Sequence, residues 1–258
     1  MALSIMSKPL NYTDVGNGEV LCLLHGFLEN KEIWNPFIGK LSKKHRVITI
    51  DLAGHGESGL LAAGNTMVDM AEAVHSVLIA CGIAKAKFIG HSMGGYVALA
   101  YAEKFQQEVM GVLLLNSTPE ADTAKRKELR QHGIRVAKTN YEALISMSVV
   151  NLFTQKFRAN LEEEIQQTKI TALGTSQESY IIGQEAMALR ADYSDLFKRA
   201  SFKKKIILGA QDTLLDSNHL TLKFENKDVE VVVLEGGHML HLENPNDLAE
   251  HFNIFIKD

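Results

Sequence analysis

The chain has 258 residues, 46% of them hydrophobic, and carries a formal net charge of −4 at pH 7. This length suffices for one sizeable domain with a large buried core, and it leaves room for an insertion. Lysine and arginine are scattered along the chain, which excludes the basic face of a nucleic-acid-binding protein. The first residues lack the charged start and long apolar core of a signal peptide, and no apolar run approaches the ~20 residues of a bilayer span, so we expect a cytoplasmic protein with no membrane partner.

The first part of the chain alternates apolar strands with turns and an amphipathic segment. We expect a short edge strand at 3–6, followed by a turn-rich connection over 10–18. Continuous apolar runs at 20–24 and 47–50 predict strands that are covered on both faces, and the helical spacing of apolar residues over 34–41 predicts a helix between them. These three elements therefore predict a parallel β-α-β unit.

A polar loop punctuated by glycines follows the second of these strands, over 51–58. It leaves the strand at its carboxyl end, where open α/β sheets place functional loops. Amphipathic spacing then predicts a helix over 66–81 that stops at Gly82. The two cysteines, Cys22 and Cys81, are expected to be small buried residues without a disulfide.

The segment 88–100 is an apolar strand that runs into a turn of small residues and then into a helix, with Ser92 at the apex of the turn. The backbone reverses so tightly here that side chains beside the serine would collide, and Gly90 and Gly94 remove those clashes. A strand, a Gly-x-Ser-x-Gly turn and a helix in this order resemble the nucleophile elbow of the α/β-hydrolase superfamily. The elbow holds the serine clear of the sheet, facing a ligand.

This resemblance implies a fold class and a group of enzymes. The fold is an α/β fold with a mostly parallel central sheet, helices on both faces and a helical lid insertion. The sequence is most similar to small carboxylesterases, enol-lactonases and cofactor-free haloperoxidase-like esterases. The loop 51–58 also matches a superfamily signature, which implies a structural turn near the site in which His55 forms hydrogen bonds and does not catalyse.

After a strand at 109–115 the charged residues multiply and the pattern becomes helical. Residues 118–200, called the insertion below, resemble the lid that many α/β-hydrolases insert into their core, which here comprises 1–117 and 201–258. An apolar stripe of the insertion is expected to face away from water and in part to roof the pocket of Ser92. The stripe consists of Leu144, Ile145, Met147, Val149, Leu152 and Phe153.

Two further apolar strands are predicted at 205–208 and 229–234. A helical stretch over 215–224 separates them, and a last helix over 246–256 follows. A polar residue suited to catalysis comes shortly after each of these strands.

A serine hydroxyl is a poor nucleophile at neutral pH unless a base takes its proton, and imidazole suits that task. Asp212 and His238 follow the last two strands, so they are expected at the same sheet edge as Ser92, in the chain order of the superfamily. We expect the serine to be the nucleophile, His238 the base and Asp212 the carboxylate that orients the imidazole. Asp216 and His241 are close enough in sequence to be alternatives, and they are ranked second.

The tetrahedral intermediate of acyl transfer carries an oxyanion, which backbone N–H groups stabilise. In the superfamily one donor directly follows the nucleophile and the other comes from the loop after an early strand, which implies Met93 and Phe27 here. Gly26 allows the second donor to approach closely. The side chains of Phe27 and Met93 are expected to line the acyl pocket, whereas His91 is expected to project away from Ser92 as a supporting residue.

Together these residues predict a serine hydrolase that needs no metal and no other cofactor. Its partner is expected to be a small-molecule ester, thioester or lactone with a largely apolar acyl group, cleaved through an acyl-enzyme. The alternative is a ligand-binding signalling protein of the same fold with a slow or vestigial triad, because a fold alone does not decide a function. No cluster with the spacing of zinc ligands occurs in the sequence.

Overall fold

A seven-stranded sheet forms the centre of the computed structural model, which describes residues 10–62 and 64–257. The strands are β1 (Tyr12–Val15), β2 (Glu19–Leu24), β3 (His45–Ile50), β4 (Ala86–His91), β5 (Val109–Leu115), β6 (Lys203–Gly209) and β7 (Val229–Leu234). Their order across the sheet is β1-β3-β2-β4-β5-β6-β7. The edge strand β1 runs antiparallel to β3, and the other neighbours are parallel. The edge strand expected at 3–6 lies outside the described residues.

Helices connect the strands and fill the insertion. They are α1 (Asn35–Leu41), α2 (Met67–Ala80), α3 (Met93–Lys104), α4 (Ala124–Ala137), α5 (Tyr141–Leu152), α6 (Gln155–Arg158), α7 (Glu162–Leu173), α8 (Gln177–Leu189), α9 (Ser194–Arg199), α10 (Ser217–Phe224), α11 (Leu240–Glu243) and α12 (Pro245–Ile256). Shorter 3-10 turns lie at Lys31–Trp34 and Gln106–Glu108. Within the described residues, no helix combines the length and the apolar character that crossing a bilayer requires.

The sheet is covered on both faces because successive residues of a strand point to opposite sides. Along β2, Leu21 and Leu23 pack in a cluster with α1 and α12, while Cys22 and Leu24 pack in a second cluster with α2 and α3. All four side chains are fully buried. A strand buried on two faces needs an uninterrupted apolar run, which is the pattern that the sequence shows here.

The ends of α2 are fixed by its flanking residues. The Thr66 hydroxyl accepts from the backbone N–H of Asp69, and the Asp69 carboxylate accepts from the N–H of Thr66, which forms a capping box. At the other end Gly82 has φ +68°, the left-handed conformation that commonly follows a helix. The predicted helix and its stop therefore agree with the structure within one residue.

The helices of the insertion pack around an apolar cluster of their own. Ile145, Val149 and Phe153, on and directly after α5, are buried in this cluster. Leu28, after β2, and Met239, after β7, belong to the same cluster. The insertion is therefore packed against loops that leave the carboxyl ends of the strands.

A buried ion cluster joins the two ends of the insertion. Asp122, which precedes α4, accepts from Arg130 Nε and from Arg190 Nη1, each at 2.5 Å. Burial raises the pKa of the Asp122 carboxyl, but the two guanidinium groups outweigh burial and lower it. The Arg190 guanidinium also lies 3.9 Å from the ring centre of Tyr96 on α3. The cluster thus ties the insertion to a helix of the sheet core.

Three local features of the structure differ from the expectations or are absent from them. The connection over 10–18 contains β1, whose polar residues suit an edge strand exposed along one side. The short helix α11 was not predicted, since four residues are too few to show a helical period. Of the two free cysteines, Cys22 is buried but Cys81 is only partly so.

Candidate active site

Ser92 lies between β4 and α3 in a strained conformation, with φ +48° and ψ −113°. Its backbone N–H donates to Leu115 O at 2.9 Å, and its carbonyl accepts from the Ser117 hydroxyl at 2.7 Å. A residue other than glycine in such a conformation costs about 1–3 kcal/mol and persists only where its surroundings hold it. Here the last residue of the neighbouring strand β5 binds the N–H of Ser92, and Ser117, shortly after that strand, binds its carbonyl oxygen.

The glycines of the turn are required by close backbone contacts. A Cβ atom on Gly90 would lie 2.5 Å from the carbonyl carbon of Gly94, and one on Gly94 would lie 2.3 Å from Leu24 O. The clashes that the sequence predicts at these two glycines are therefore real. Gly95 was not singled out, yet a Cβ there would lie 2.3 Å from the Ser117 hydroxyl oxygen.

The structure brings Ser92, His238 and Asp212 together from the ends of three strands. His238 Nε2 lies 2.9 Å from Ser92 Oγ, and His238 Nδ1 lies 2.8 Å from Asp212 Oδ2. A carboxylate only accepts, so Nδ1 carries the proton and Nε2 is left to accept from the serine hydroxyl. This is the arrangement in which imidazole can take a proton from the serine.

The Asp212 carboxylate accepts hydrogen bonds from other groups besides the imidazole of His238. Asn116 Nδ2 donates to its Oδ2 at 2.8 Å, and the N–H of Leu214 donates to its Oδ1 at 2.7 Å. Burial raises the pKa of the Asp212 carboxyl, but His238 and these donors outweigh burial, so the pKa is lowered. Sequence reasoning missed Asn116. Its position directly after β5, at the same sheet edge, was the signal that could have found it.

Hydrogen bonds from the insertion hold the loop of His238. The N–H of His238 donates to Leu152 O at 3.1 Å. The Glu243 carboxylate accepts from the N–H of Gly237 at 2.5 Å and from the N–H of Thr154 at 2.6 Å. The end of α5 and the loop of the histidine are therefore fixed to each other, a link that no local sequence pattern indicates.

The two N–H groups expected to bind the oxyanion have no protein acceptor among the described residues. Within the described residues, neither the N–H of Phe27 nor that of Met93 donates a hydrogen bond to the protein. Met93 opens α3, where the first N–H groups of a helix lack partners. Gly26 is required beside them, because a Cβ there would lie 2.6 Å from Glu29 Oε2 and 2.8 Å from His91 Nδ1.

His91 is fully buried behind the serine and connects two parts of the site. Its Nδ1 lies 2.7 Å from Glu29 Oε2, and its Nε2 lies 2.9 Å from the carbonyl oxygen of His238. Both ring nitrogens face oxygen acceptors, so the geometry favours an imidazolium paired with a carboxylate. Burial lowers the pKa of His91 but Glu29 outweighs it and the pKa is raised; the pKa of Glu29 is lowered by His91 against the effect of burial.

The second-ranked residues have other partners in the structure. Asp216 caps α10, since its carboxylate accepts from the N–H of His219 at 3.0 Å. His241 is buried against the ring of His91, and burial lowers its pKa to about 3. Glu29, His91 and His241 each place one potential metal-ligand atom within 4.8 Å of the others. His91 uses both of its ring nitrogens in this cluster, one towards Glu29 Oε2 and the other towards the carbonyl oxygen of His238.

His55 lies in the loop after β3 and is fully buried. Its Nδ1 lies 3.0 Å from Ala53 O, and its ring centre lies 5.6 Å from that of Phe27. Burial lowers the pKa of His55 to about 3. The histidine therefore packs against Phe27 and forms a hydrogen bond within its own loop, and it is not among the residues that line the cavity of Ser92.

A cavity of about 390 Å³ has both Ser92 and His238 in its wall. This volume is within the range of small-molecule sites, about 300–1,000 Å³. Phe27 lines it as expected, but Met93 does not, because its side chain is buried in the sheet core. The apolar part of the wall comes mainly from the insertion and the strand-end loops, with Phe27, Leu28, Leu144, Leu152, Tyr180, Met187, Leu214 and Met239.

A family model described as the alpha/beta hydrolase fold matches residues 19–245. The chain is similar to 3-oxoadipate enol-lactonase 1 of Acinetobacter baylyi, with 25% identity over 87% of this chain and 84% of that protein. It is also similar to the dihydrolipoyllysine-residue acetyltransferase component of the acetoin cleaving system of Pseudomonas putida, with 28% identity over 93% of this chain, and it spans 64% of that protein's length. Among solved structures, a thermophilic esterase from Thermogutta terrifontis with malate bound matches with a TM-score of 0.90 and 25% identity, over 96% of this chain and 93% of that one.

Proposed function

This chain belongs to the α/β-hydrolase family, and we propose that it is a cofactor-independent serine hydrolase that cleaves an ester, thioester or lactone with a largely apolar acyl group. The observation that carries the proposal is the pair of hydrogen bonds from His238, at 2.9 Å to Ser92 Oγ and at 2.8 Å to Asp212 Oδ2. The similarity to an enol-lactonase and an esterase supports ester bonds in small molecules as the target.

In the proposed mechanism Ser92 Oγ attacks the carbonyl carbon of the substrate while its proton passes to His238 Nε2. Asp212 keeps the imidazole oriented and stabilises the imidazolium that forms. The N–H groups of Phe27 and Met93 bind the oxyanion of the tetrahedral intermediate, each donor being worth about 2.7–4 kcal/mol in comparable enzymes. His238 then gives its proton to the departing oxygen or sulfur, and the acyl group remains on the serine.

The second half of the reaction repeats these steps with water. A water molecule gives a proton to His238 and attacks the acyl carbonyl, and the imidazolium returns a proton to Ser92 as the acid leaves. The insertion serves as a lid in this proposal, because Leu144 and Leu152 of α5 lie in the cavity wall with the serine. Such a lid limits the access of bulk water and shapes the acyl site.

Turnover of a short p-nitrophenyl ester tests the proposal. We expect multiple turnovers, and we expect Ser92→Ala to lower kcat by about 10⁴-fold or more while the protein stays folded. Ser76→Ala, at an exposed serine of α2, serves as the matched control and should leave the rate unchanged. An unchanged rate in Ser92→Ala would contradict the proposal, and a single stoichiometric burst would indicate the ligand-binding alternative.

A further inference from the structure

One wall of the cavity carries positive charge. Arg126, Arg130 and Gly133 of α4 all lie in the wall, since their spacing places them on one face of the helix. Ser92 lies in the wall of the same cavity. A substrate that reaches the serine therefore also meets the arginine face of α4.

Arg126 has no acidic partner among the residues that the structure describes. Its Nη1 donates to Leu214 O at 2.7 Å, which engages one of its five N–H groups. The side chain is half-buried, so its charge is only partly hydrated. A guanidinium in this situation favours an anion that can enter the cavity.

The acidic partner of Arg130 does not neutralise the positive charge of this wall. It donates to Gln184 Oε1 at 3.0 Å and to Asp122 Oδ2 at 2.5 Å. Asp122, however, is shared with Arg190, so three guanidinium groups, with that of Arg126, stand against a single carboxylate. Asp122 does not itself line the cavity, and Glu29, which does lie in the wall, is paired with His91.

We propose that the substrate carries a carboxylate at the end remote from the scissile bond, and that Arg126, supported by Arg130, binds it. The apolar wall formed by Leu144 and Leu152 then holds the chain between the two ends. The identity of the cleaved bond rests on the proposed function, whereas the preference for an anion rests on the cavity alone. The structure thus assigns the chain to carboxylate-bearing esters or lactones within the wider class.

Two p-nitrophenyl esters of pimelic acid, one with a free carboxylate and one with that carboxylate methylated, isolate the effect of the charge. We expect the kcat/KM of the wild type to be about tenfold higher or more for the ester with the free carboxylate than for the methylated ester. This ratio corresponds to the free energy of a hydrogen bond to a charged group. Arg126→Gln should remove about tenfold of this preference, and Arg126→Lys should retain part of it. Lys127→Gln, the same charge change at an exposed neighbour on α4, is the matched control and should leave the preference unchanged.

Hydrolysis of the two esters at equal rates, or a loss of preference in Lys127→Gln as large as that in Arg126→Gln, would overturn the inference. Calorimetry on Ser92→Ala with monomethyl and dimethyl pimelate separates it from the proposed function, because no bond is cleaved. Tighter binding of the monoester without hydrolysis of either nitrophenyl ester supports the inference and contradicts the proposed function. Hydrolysis of both esters without any preference for the free carboxylate supports the proposed function and contradicts the inference.

Discussion

The strand ends and the insertion place their polar groups in different ways. Ser92 directly follows a strand, and Asp212 and His238 lie in the short loops after two others, so the backbone of the sheet brings all three to one edge. In the insertion, Asp122 is instead held by arginines 8 and 68 residues away in the chain. The first arrangement can be recognised from local sequence, whereas the second depends on how helices pack after folding.

The strand ends and the insertion also differ in how much change they tolerate. The site at the strand ends tolerates little change, because a Cβ on Gly94 would lie 2.3 Å from a carbonyl oxygen of the neighbouring strand. The insertion contributes side chains such as Arg126 and Leu144 to the cavity wall, and both residues lie on helices outside the sheet. We therefore expect variants at the strand ends to change rate and variants in the insertion to change stability or preference.

Among the variants that contrast the strand ends with the insertion, the largest effect is expected at Asp212. Asp212→Asn removes the charge that stabilises the imidazolium of His238, and we expect kcat to fall by about 10⁴-fold. Asp216→Asn is the matched control, since asparagine caps a helix as well as aspartate does and α10 should stay intact. Steady-state kinetics on the two purified variants checks this. Equal losses in both variants would show that the orienting carboxylate has been misassigned.

The next largest effect is expected at the ion cluster of the insertion. Asp122→Asn leaves Arg130 and Arg190 without a counter-charge, and breaking a buried pair in this way costs about 3–5 kcal/mol. Glu128→Gln makes the same chemical change at an exposed site on α4 and should stay within about 0.5 kcal/mol of wild type. Urea unfolding measures both. A loss in Asp122→Asn no larger than in the control would contradict the structural role of the cluster.

Much of the fold was predictable from the sequence, because buried strands need continuous apolar runs and helix ends need particular residues. The run over 47–50 predicts β3, and Thr66 with Gly82 predicts the ends of α2. The residues proposed for the triad were found because each follows a strand. Glu29 was missed because it is 62 residues from His91 in the chain, and hydrophobic periodicity does not predict contacts between residues so far apart.

The apolar stripe of α5 shows that hydrophobic periodicity does not predict the environment of each apolar residue. It predicts that one face avoids water, and Ile145, Val149 and Phe153 do so within the cluster of the insertion. Met147, which was counted with them, is 68% exposed. Leu144 lies in the cavity wall instead. The spacing alone does not distinguish these environments, since helical neighbours on one side of α5 meet protein, cavity or solvent depending on the packing of the other helices.

Alanine variants at Leu144 and Ile145, which are adjacent on α5, are expected to have different effects, one on substrate preference and the other on stability. Leu144→Ala enlarges the cavity, and we expect it to shift the preference between short and long acyl chains by about 1–3 kcal/mol in kcat/KM. Ile145→Ala creates a void in the cluster of the insertion and should cost about 2–5 kcal/mol of stability. A series of p-nitrophenyl esters and urea unfolding give the two readouts. If Leu144→Ala only loses stability and keeps the wild-type profile, the proposed lid does not shape the acyl site.

The smallest effect is a difference in acid sensitivity between the two regions. His241 has its pKa lowered to about 3 by burial, so between about pH 6.5 and 3 the unfolded chain binds a proton there that the folded chain does not. Stability must then fall as the pH falls, by up to about 1.4 kcal/mol per pH unit. Asp122 has a lowered pKa, so its contribution is kept above the unfolded value near 3.8 and is lost only below it. In urea unfolding between pH 6.5 and 5, we therefore expect His241→Gln to flatten the slope of stability against pH and Asp122→Asn to leave that slope unchanged. The opposite result would place the acid-sensitive group in the insertion and not behind the strand ends.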